Sequence, residues 1–426
     1  MDTVSKRESY SLPLRRSVFI LGGLGGVGKT TSAAALSLSL ALKGARVLVI
    51  TVDPAKRLTD TFGLNTDGLS TDDPIKISLP ASVLAGTADS AGELWVSMLD
   101  TKASFDDLIA RLCDREGERE AILANAVYKS ISSGFAYGSE YIAMERVLYL
   151  HEQNKWDYLV VDTPPGENFF TLFSAPKRMA QFFSSKTLRF LVAPYRSKFL
   201  NLASKPLYDI VNRLLGIEML LQVSEFFKLF ESVRHKFKKR AEEVEEMLIS
   251  PITKHVLITT LDSLRSEEIL HFIERFLDSR YQLSAVICNS ALPEFLLDEE
   301  NIDFARRLSG TPDQAADALP TEELRGAIAS LGLKGDSGYD AEERDTALPG
   351  LLKALGENFL NYALLAAGQN AVYEHIASDL GRKLPVGGQK QTAVIKLPYL
   401  VDPAGDMEQI AFLGDAVSSA LFENSD

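Results

Sequence analysis

The stretch Ser17-Val18-Phe19-Ile20-Leu21-Gly22-Gly23-Leu24-Gly25-Gly26-Val27-Gly28-Lys29-Thr30-Thr31 decides how the rest of the chain is read. Its first five residues form the near-continuous apolar run that a buried parallel strand needs. Gly23 to Thr30 then satisfies G-x-x-x-x-G-K-[ST], followed at once by Ala, Leu and Ser in a helical rhythm up to Lys43. Gly44 supplies a helix C-cap, and Val47 to Val52 reads as a second buried strand. The three pieces make a βαβ unit, whose right-handed crossover puts both strands in one parallel sheet with the following loops on one edge.

Working outward, apolar strands are expected at Tyr158–Val161, His255–Thr259, Ala285–Cys288 and Ala393–Leu397. Alternation of such strands with long helical stretches predicts an α/β fold of the P-loop NTPase type, a mostly parallel central sheet flanked by helices. Residues 166–252 are too long for a simple crossover and rich in Phe and Leu, so they read as an inserted helical subdomain, with Leu188 to Ala193 readable as helix or strand. The expected organisation is a polar leader over 1–14, a first part of the core over 15–165, the helical insert over 166–252, and a second core part over 253–292. An insertion without readable role follows over 293–390, and 391–426 completes the core.

Composition narrows the function classes. With 46% apolar and 24% charged residues the chain can build a large core, and 58 acidic against 45 basic residues leave a formal charge of −13. That charge disfavours nucleic acid and anionic lipid as partners. Cys113 and Cys288 form no C-x-x-C pair, and the five histidines lack ligand spacing, which argues against a disulfide framework or a zinc knuckle. No apolar run is long enough for a membrane span, so the expectation is a soluble, cytoplasmic protein.

The glycine-rich turn carries chemistry. Gly23, Gly25, Gly26 and Gly28 let the backbone around Val27 curl so that successive N–H groups face phosphate oxygens, and the helix N-terminus at Thr30 and Thr31 adds partial positive charge. Lys29 would neutralise phosphate charge, and the Thr30 hydroxyl would bind Mg²⁺. Asp53, in Asp53-Pro54-Ala55-Lys56-Arg57-Leu58-Thr59-Asp60, and Asp162, in Asp162-Thr163-Pro164-Pro165, each stand where a strand meets solvent. Such carboxylates can hold Mg²⁺ waters or orient an attacking water.

Together with Val286-Ile287-Cys288-Asn289 and Lys396-Leu397-Pro398-Tyr399, these motifs resemble the arsenite-pump, or anion-transporting, ATPase (ArsA) family. That family includes the ATPase for guided entry of tail-anchored membrane proteins. The resemblance is densest over residues 16–180, where Leu99-Asp100-Thr101-Lys102 and Glu140-Tyr141-Ile142-Ala143-Met144-Glu145 are similar to the bacterial branch. It implies ATP and Mg²⁺ as cofactors, with Asp53 activating the hydrolytic water and Asp162 behind the metal beside Thr30. It also implies Asn289 on the adenine edge and Leu397, Pro398 and Tyr399 beside the base. Finally, it implies a homodimer that ATP closes and ADP releases, and a hydrophobic client segment or membrane-protein partner.

The chain departs from that pattern at Leu24, where the family carries a second lysine that reaches the phosphates across the dimer. A missing transition-state cation costs about three to five orders of magnitude in rate, while binding through Lys29 would survive. An ATP-sensing module with negligible turnover is therefore one alternative, and a biosynthetic phosphotransferase another. Lys56 or Arg57 could compensate for Leu24. The C-x-x-C with which the family's eukaryotic targeting members share zinc is absent, and two cysteines cannot build a three-thiolate arsenite site within one chain.

Within the insert, residues 217–248 read as one helix with apolar positions at Met219, Leu220, Val223, Phe226, Phe227, Phe230, Val233, Phe237 and Val244. That face either packs internally or, as the resemblance implies, contributes to a client groove. The basic run Arg234 to Arg240 precedes Glu242, Glu243, Glu245 and Glu246, whose spacing predicts mutual pairing rather than a nucleic-acid surface.

Overall fold

In the computed structural model, which describes residues 16–52, 57–63, 73–84, 91–134, 138–184, 217–310, 341–383, 392–400 and 406–423, one sheet organises the chain. Its strands are β1 (Ser17–Gly23), β2 (Arg46–Thr51), β3 (Ile75–Lys76), β4 (Glu93–Met98), β5 (Tyr158–Asp162), β6 (Thr253–Thr260), β7 (Leu283–Ala291) and β8 (Ala393–Pro398). They lie in the order β3-β4-β2-β5-β1-β6-β7-β8, parallel throughout except for the short β3 pairing with β4. This is the α/β architecture expected from the sequence. All seven residues of β1 are buried, because the strand is flanked on both edges and covered on both faces.

Two strands escaped the sequence reading. In Glu93-Leu94-Trp95-Val96-Ser97-Met98 only Leu94, Val96 and Ser97 are buried, so β4 alternates and lacks the continuous apolar run of its neighbours. Tyr158–Asp162 is accordingly the fifth strand in chain order, not the third.

The first helices are α1 (Lys29–Leu42), α2 (Arg57–Thr61), α3 (Ala81–Leu84), α4 (Thr101–Leu112), α5 (Glu116–Ala124), α6 (Ala126–Gly134) and α7 (Gly138–Glu152). Then come α8 (Glu167–Ser184), α9 (Ile217–Ile249), α10 (Ser266–Leu277), α11 (Glu299–Leu308), α12 (Ala341–Lys383) and α13 (Met407–Glu423). Almost all of α1 is buried, since α13 packs along it; Gly414 comes so close that a β-carbon there would stand 2.1 Å from the Ala35 carbonyl oxygen.

The long helix expected over 217–248 is α9. Its apolar face at Phe226, Phe230, Val233, Phe237 and Val244 is buried within the chain, where α9 meets α4 to α8. Among the described residues this stretch therefore packs internally, while the side chains of Met219 and Leu220 lie outside the described residues. The basic run behaves as its spacing predicts: Lys238 pairs with Glu242, Lys239 with Glu243, and Arg240 with Glu145, Glu152 and Glu243. Buried Glu145 also receives both terminal nitrogens of Arg111, at 3.1 and 3.0 Å, so a single carboxylate ties α4, α7 and α9 together. Residues 1–14, and the Leu188 to Ala193 segment, lie outside the described residues.

The insertion over 293–390 is attached to the core edge by α12. Gln369 accepts from the Leu292 amide at 2.8 Å and donates to the carbonyl of Ser290, a residue with φ of +59°, at 3.4 Å. Among the described residues no helix is long and apolar enough to cross a membrane.

Candidate nucleotide site

The site grows from the end of β1. Leu21 lies opposite Asp162 on β5 and Gly23 opposite Ile258 on β6, so three parallel strands deliver their C-terminal loops to one place. The chain then turns through Gly26 (φ +75°) and Gly28 (φ +89°), conformations that side chains resist. Crowding adds a second constraint, since a β-carbon at Gly28 would stand 2.1 Å from Asn289 Nδ2. Helix α1 begins with no side-chain cap and no acidic residue in its first turn, so nothing negative offsets the partial positive charge of its N-terminus.

Lys29 is buried and lies back over the loop, its Nζ donating to the Leu24 carbonyl at 2.8 Å and the Gly23 carbonyl at 3.3 Å. The Thr30 hydroxyl donates to Asp162 Oδ2 at 2.8 Å, and Thr51 reaches the same oxygen at 3.4 Å. A hydroxyl beside a buried carboxylate is the all-oxygen donor set suited to a hard divalent cation such as Mg²⁺. The curled amides suit a polyphosphate. Both groups thus fit the residues present.

The neighbouring loop is bound to this cradle. Thr163 Oγ1 donates to the Leu21 carbonyl at 2.6 Å, and the Gly166 amide donates to the Gly23 carbonyl at 3.0 Å. Phe169, at the start of α8, sits against Gly22 so closely that a β-carbon there would be 2.2 Å from the ring. Sequence reading missed Thr163 and Phe169, although Thr163 directly follows the singled-out Asp162.

The other expected site residues divide. Asn289 does arrive at the loop, its Nδ2 donating to the Val27 carbonyl at 3.0 Å. Beside it on the sheet, Ala291 is in register with Pro398, and the Tyr399 amide donates to the Ala291 carbonyl at 2.9 Å. Leu397 is fully buried while Tyr399 is exposed. Gly25 and Gly26 are exposed at the rim of the loop, and Thr30 and Thr31 are half-buried. Asp53 and Lys56 lie outside the described residues, as does the Arg57 side chain.

Leu24 is 7% exposed, packed with the core. Apolar chemistry has turned inward the position where a cation was sought. A cation does stand at the loop from elsewhere: Arg265, in the turn after β6, places Nη1 3.5 Å from the Gly25 carbonyl oxygen. Nothing local in the sequence marks it, because its position follows from the register of β6 against β1.

Neither cysteine resembles a reactive ligand. Cys288 is buried in β7, where desolvation pushes its thiol up to about 12, and burial also raises that of Cys113. Among the described residues there is no group of three or more His, Cys, Asp and Glu side chains able to hold a metal.

Comparison with known proteins finds relatives by sequence. Two relatives are described as putative arsenical pump-driving ATPases 1 and 2 of Aquifex aeolicus. The first is 25% identical over 296 residues, covering 68% of this chain and 67% of the relative. The second is 24% identical over 287 residues, covering 66% and 82%. A shorter similarity, 39% over 67 residues and 16% of each chain, links it to ATPase GET3B of Arabidopsis thaliana. The family profile described as anion-transporting ATPase matches residues 16–310, spanning β1, the glycine-rich loop, Asp162 and Asn289. With that match covering well over half its length, the chain belongs to the ArsA anion-transporting ATPase family.

Proposed function

We propose that this protein binds ATP with Mg²⁺, hydrolyses it to ADP and phosphate, and couples nucleotide state to the opening and closing of a homodimer. The observation that carries the reading is the convergence of Lys29, Thr30, Asp162 and Asn289 on one glycine-rich loop. The amides of residues 25–30 and the Lys29 ammonium would hold the phosphates, with Thr30 and Asp162 holding Mg²⁺, directly or through water. Bound there, the metal would offset phosphate charge. Asp53 would orient the attacking water, and Asn289, Leu397, Pro398 and Tyr399 would flank the base.

Burial of Leu24 favours a second reading, a nucleotide sensor that closes on ATP with negligible turnover. Calorimetry with ATP and ADP in the presence of Mg²⁺ tests binding, and single-turnover hydrolysis by wild type and Asp53→Asn separates enzyme from sensor. We expect binding of both nucleotides and measurable hydrolysis that Asp53→Asn abolishes. Binding of neither nucleotide would defeat both readings. Sedimentation with ATP and then ADP tests the dimer, with the larger species expected in ATP.

A client segment would have to use a surface other than the α9 face from Phe226 to Val244, which is occupied internally. Activation by trivalent arsenic is not part of this reading, because the chain has only two cysteines and the Cys288 thiol is buried.

A further inference from the structure

The geometry points to Arg265 as the cation, supplied from its own chain, that meets the phosphoryl group during hydrolysis. The inference rests on the ATPase reading above and names the charge that serves the loop where Leu24 supplies none.

Three observations converge. First, Leu24, next to Gly25 in the loop, is apolar and buried, so it brings no charge to the phosphates. Second, the place left open is at the loop's outer rim. Gly25 and Gly26 are exposed there, and a β-carbon on Gly25 would meet only Pro165, at 3.9 Å. Third, Arg265 reaches that rim. The register Gly23 opposite Ile258 carries β6 past the start of the loop, so the turn that follows lies beside Gly25.

That turn is built to hold a side chain in place. Asp262 accepts from the Leu264 amide at 2.9 Å, and the Arg265 amide donates to the Asp262 carbonyl at 3.1 Å. Ser266, opening α10, donates its hydroxyl hydrogen to the Ser263 carbonyl at 3.0 Å. Glu268, in the first turn of α10, accepts from Arg265 Nε at 2.9 Å. The guanidinium is thereby anchored through Nε, while its terminal end faces the loop.

The contact of Nη1 with the Gly25 carbonyl, at 3.5 Å, is at the outer limit of a hydrogen bond. A multiply charged phosphoryl oxygen would displace so weak an acceptor, since charge-assisted hydrogen bonds to guanidinium are about twice as strong as neutral ones. Arg265 has the attributes of an arginine finger acting in cis: permanent charge, a planar fork and a rigid base. It transfers no proton. It stabilises negative charge on the phosphoryl oxygens as water attacks and ADP departs.

The test compares wild type, Arg265→Ala, Arg265→Lys and a Lys56→Ala/Arg57→Ala double variant, each titrated with ADP by calorimetry and then followed through one turnover of ATP. Arg265→Ala should keep ADP affinity within about threefold and lose at least about a thousandfold in single-turnover rate. Arg265→Lys should restore only part of that rate, since an ammonium lacks the fork. Added guanidinium salt, well below denaturing concentration, should partly restore Arg265→Ala and leave wild type unaffected, a rescue that a purely structural role would not show. Hydrolysis by Arg265→Ala at the wild-type rate overturns the inference. So does a loss confined to the Lys56/Arg57 variant, or a wild type that binds ATP without turning it over. If wild type binds neither nucleotide, the ATPase reading fails at its base and the inference falls with it.

Discussion

Gly28 shows how closely single residues are specified here, because both its backbone and its surroundings forbid a side chain. With φ of +89° and Asn289 Nδ2 2.1 Å from where a β-carbon would sit, Gly28→Ala must move either the loop or Asn289. It should weaken ATP affinity at least about tenfold, because displacing a phosphate-binding amide removes a charge-assisted hydrogen bond worth about 1.5 kcal/mol or more. Calorimetry reads this, with circular dichroism confirming the fold. Lys29→Ala should be more severe, abolishing detectable binding, since the other elements of the loop cannot replace its charge. His255 gives a prediction unrelated to the site. Its Nδ1 lies 3.1 Å from the Gln282 carbonyl, which can only accept, so the ring proton sits there, and the imidazole packs among the rings of Phe173, Phe276 and Tyr281. Burial lowers its pKa from 6.5 to about 4, so the imidazole stays neutral in the folded chain while the unfolded chain takes up a proton below pH 6.5. This contribution to stability is complete above pH 6.5 and declines as the pH falls towards 4. By pH 5 it should have cost about 2 kcal/mol in urea unfolding, and a His255→Phe variant should lack that component. At this scale the glycine loop, Lys29 and Asp162 were legible because motif and strand context coincide. The approach of Arg265 and Thr163 to that loop was not, since it depends on which strands end level with one another.

At the scale of elements, the sheet was readable wherever strands are buried on both faces and failed at its margin. Trp95 and Glu93 of β4 are half-exposed, and Arg46 lies over the Trp95 and Trp156 rings while pairing with Glu93. This edge is dressed with polar and aromatic groups, and its pattern therefore does not announce a strand. Helix α9 was legible as a helix from its three-and-four spacing, but spacing alone does not say what an apolar face meets. The structure answers with α4 to α8 and with the Arg111–Glu145–Arg240 cluster. Burial works against the charge on Arg240, yet the hydrogen bonds it donates to Glu152 and Glu145 keep its pKa above the usual arginine value. Removing Glu145 leaves two arginines without their shared, fully buried carboxylate, so Glu145→Ala should destabilise the protein by about 3–5 kcal/mol in chemical unfolding. Glu152→Ala, which removes a half-exposed partner of Arg240, should cost under about 1 kcal/mol. Equal losses in the two variants would show that the buried carboxylate is not the joint between α9 and the core.

For the whole molecule, the position of the nucleotide site ties ligand binding to global stability. The loop is held from β1, from the segment after β5, from the turn after β6 and from Asn289 on β7, and α12 reaches it indirectly through Gln369 on the β7–β8 edge. Sequence reading left residues 293–390 without a role, because Gln369 is far along the chain from the strand end it braces. A ligand that binds this junction only when the strands are in register binds the native chain and not the unfolded one. At a hundredfold excess over its dissociation constant it should add about 2.7 kcal/mol to the free energy of unfolding. The urea midpoint should rise in Mg²⁺-ATP accordingly, with no rise for Lys29→Ala. If α12 braces the site, Gln369→Ala should leave the ligand-free unfolding free energy within about 1 kcal/mol of wild type, the worth of one or two half-buried hydrogen bonds, while reducing the increment given by ATP. An unchanged increment would show that Asn289 holds its place without help from α12.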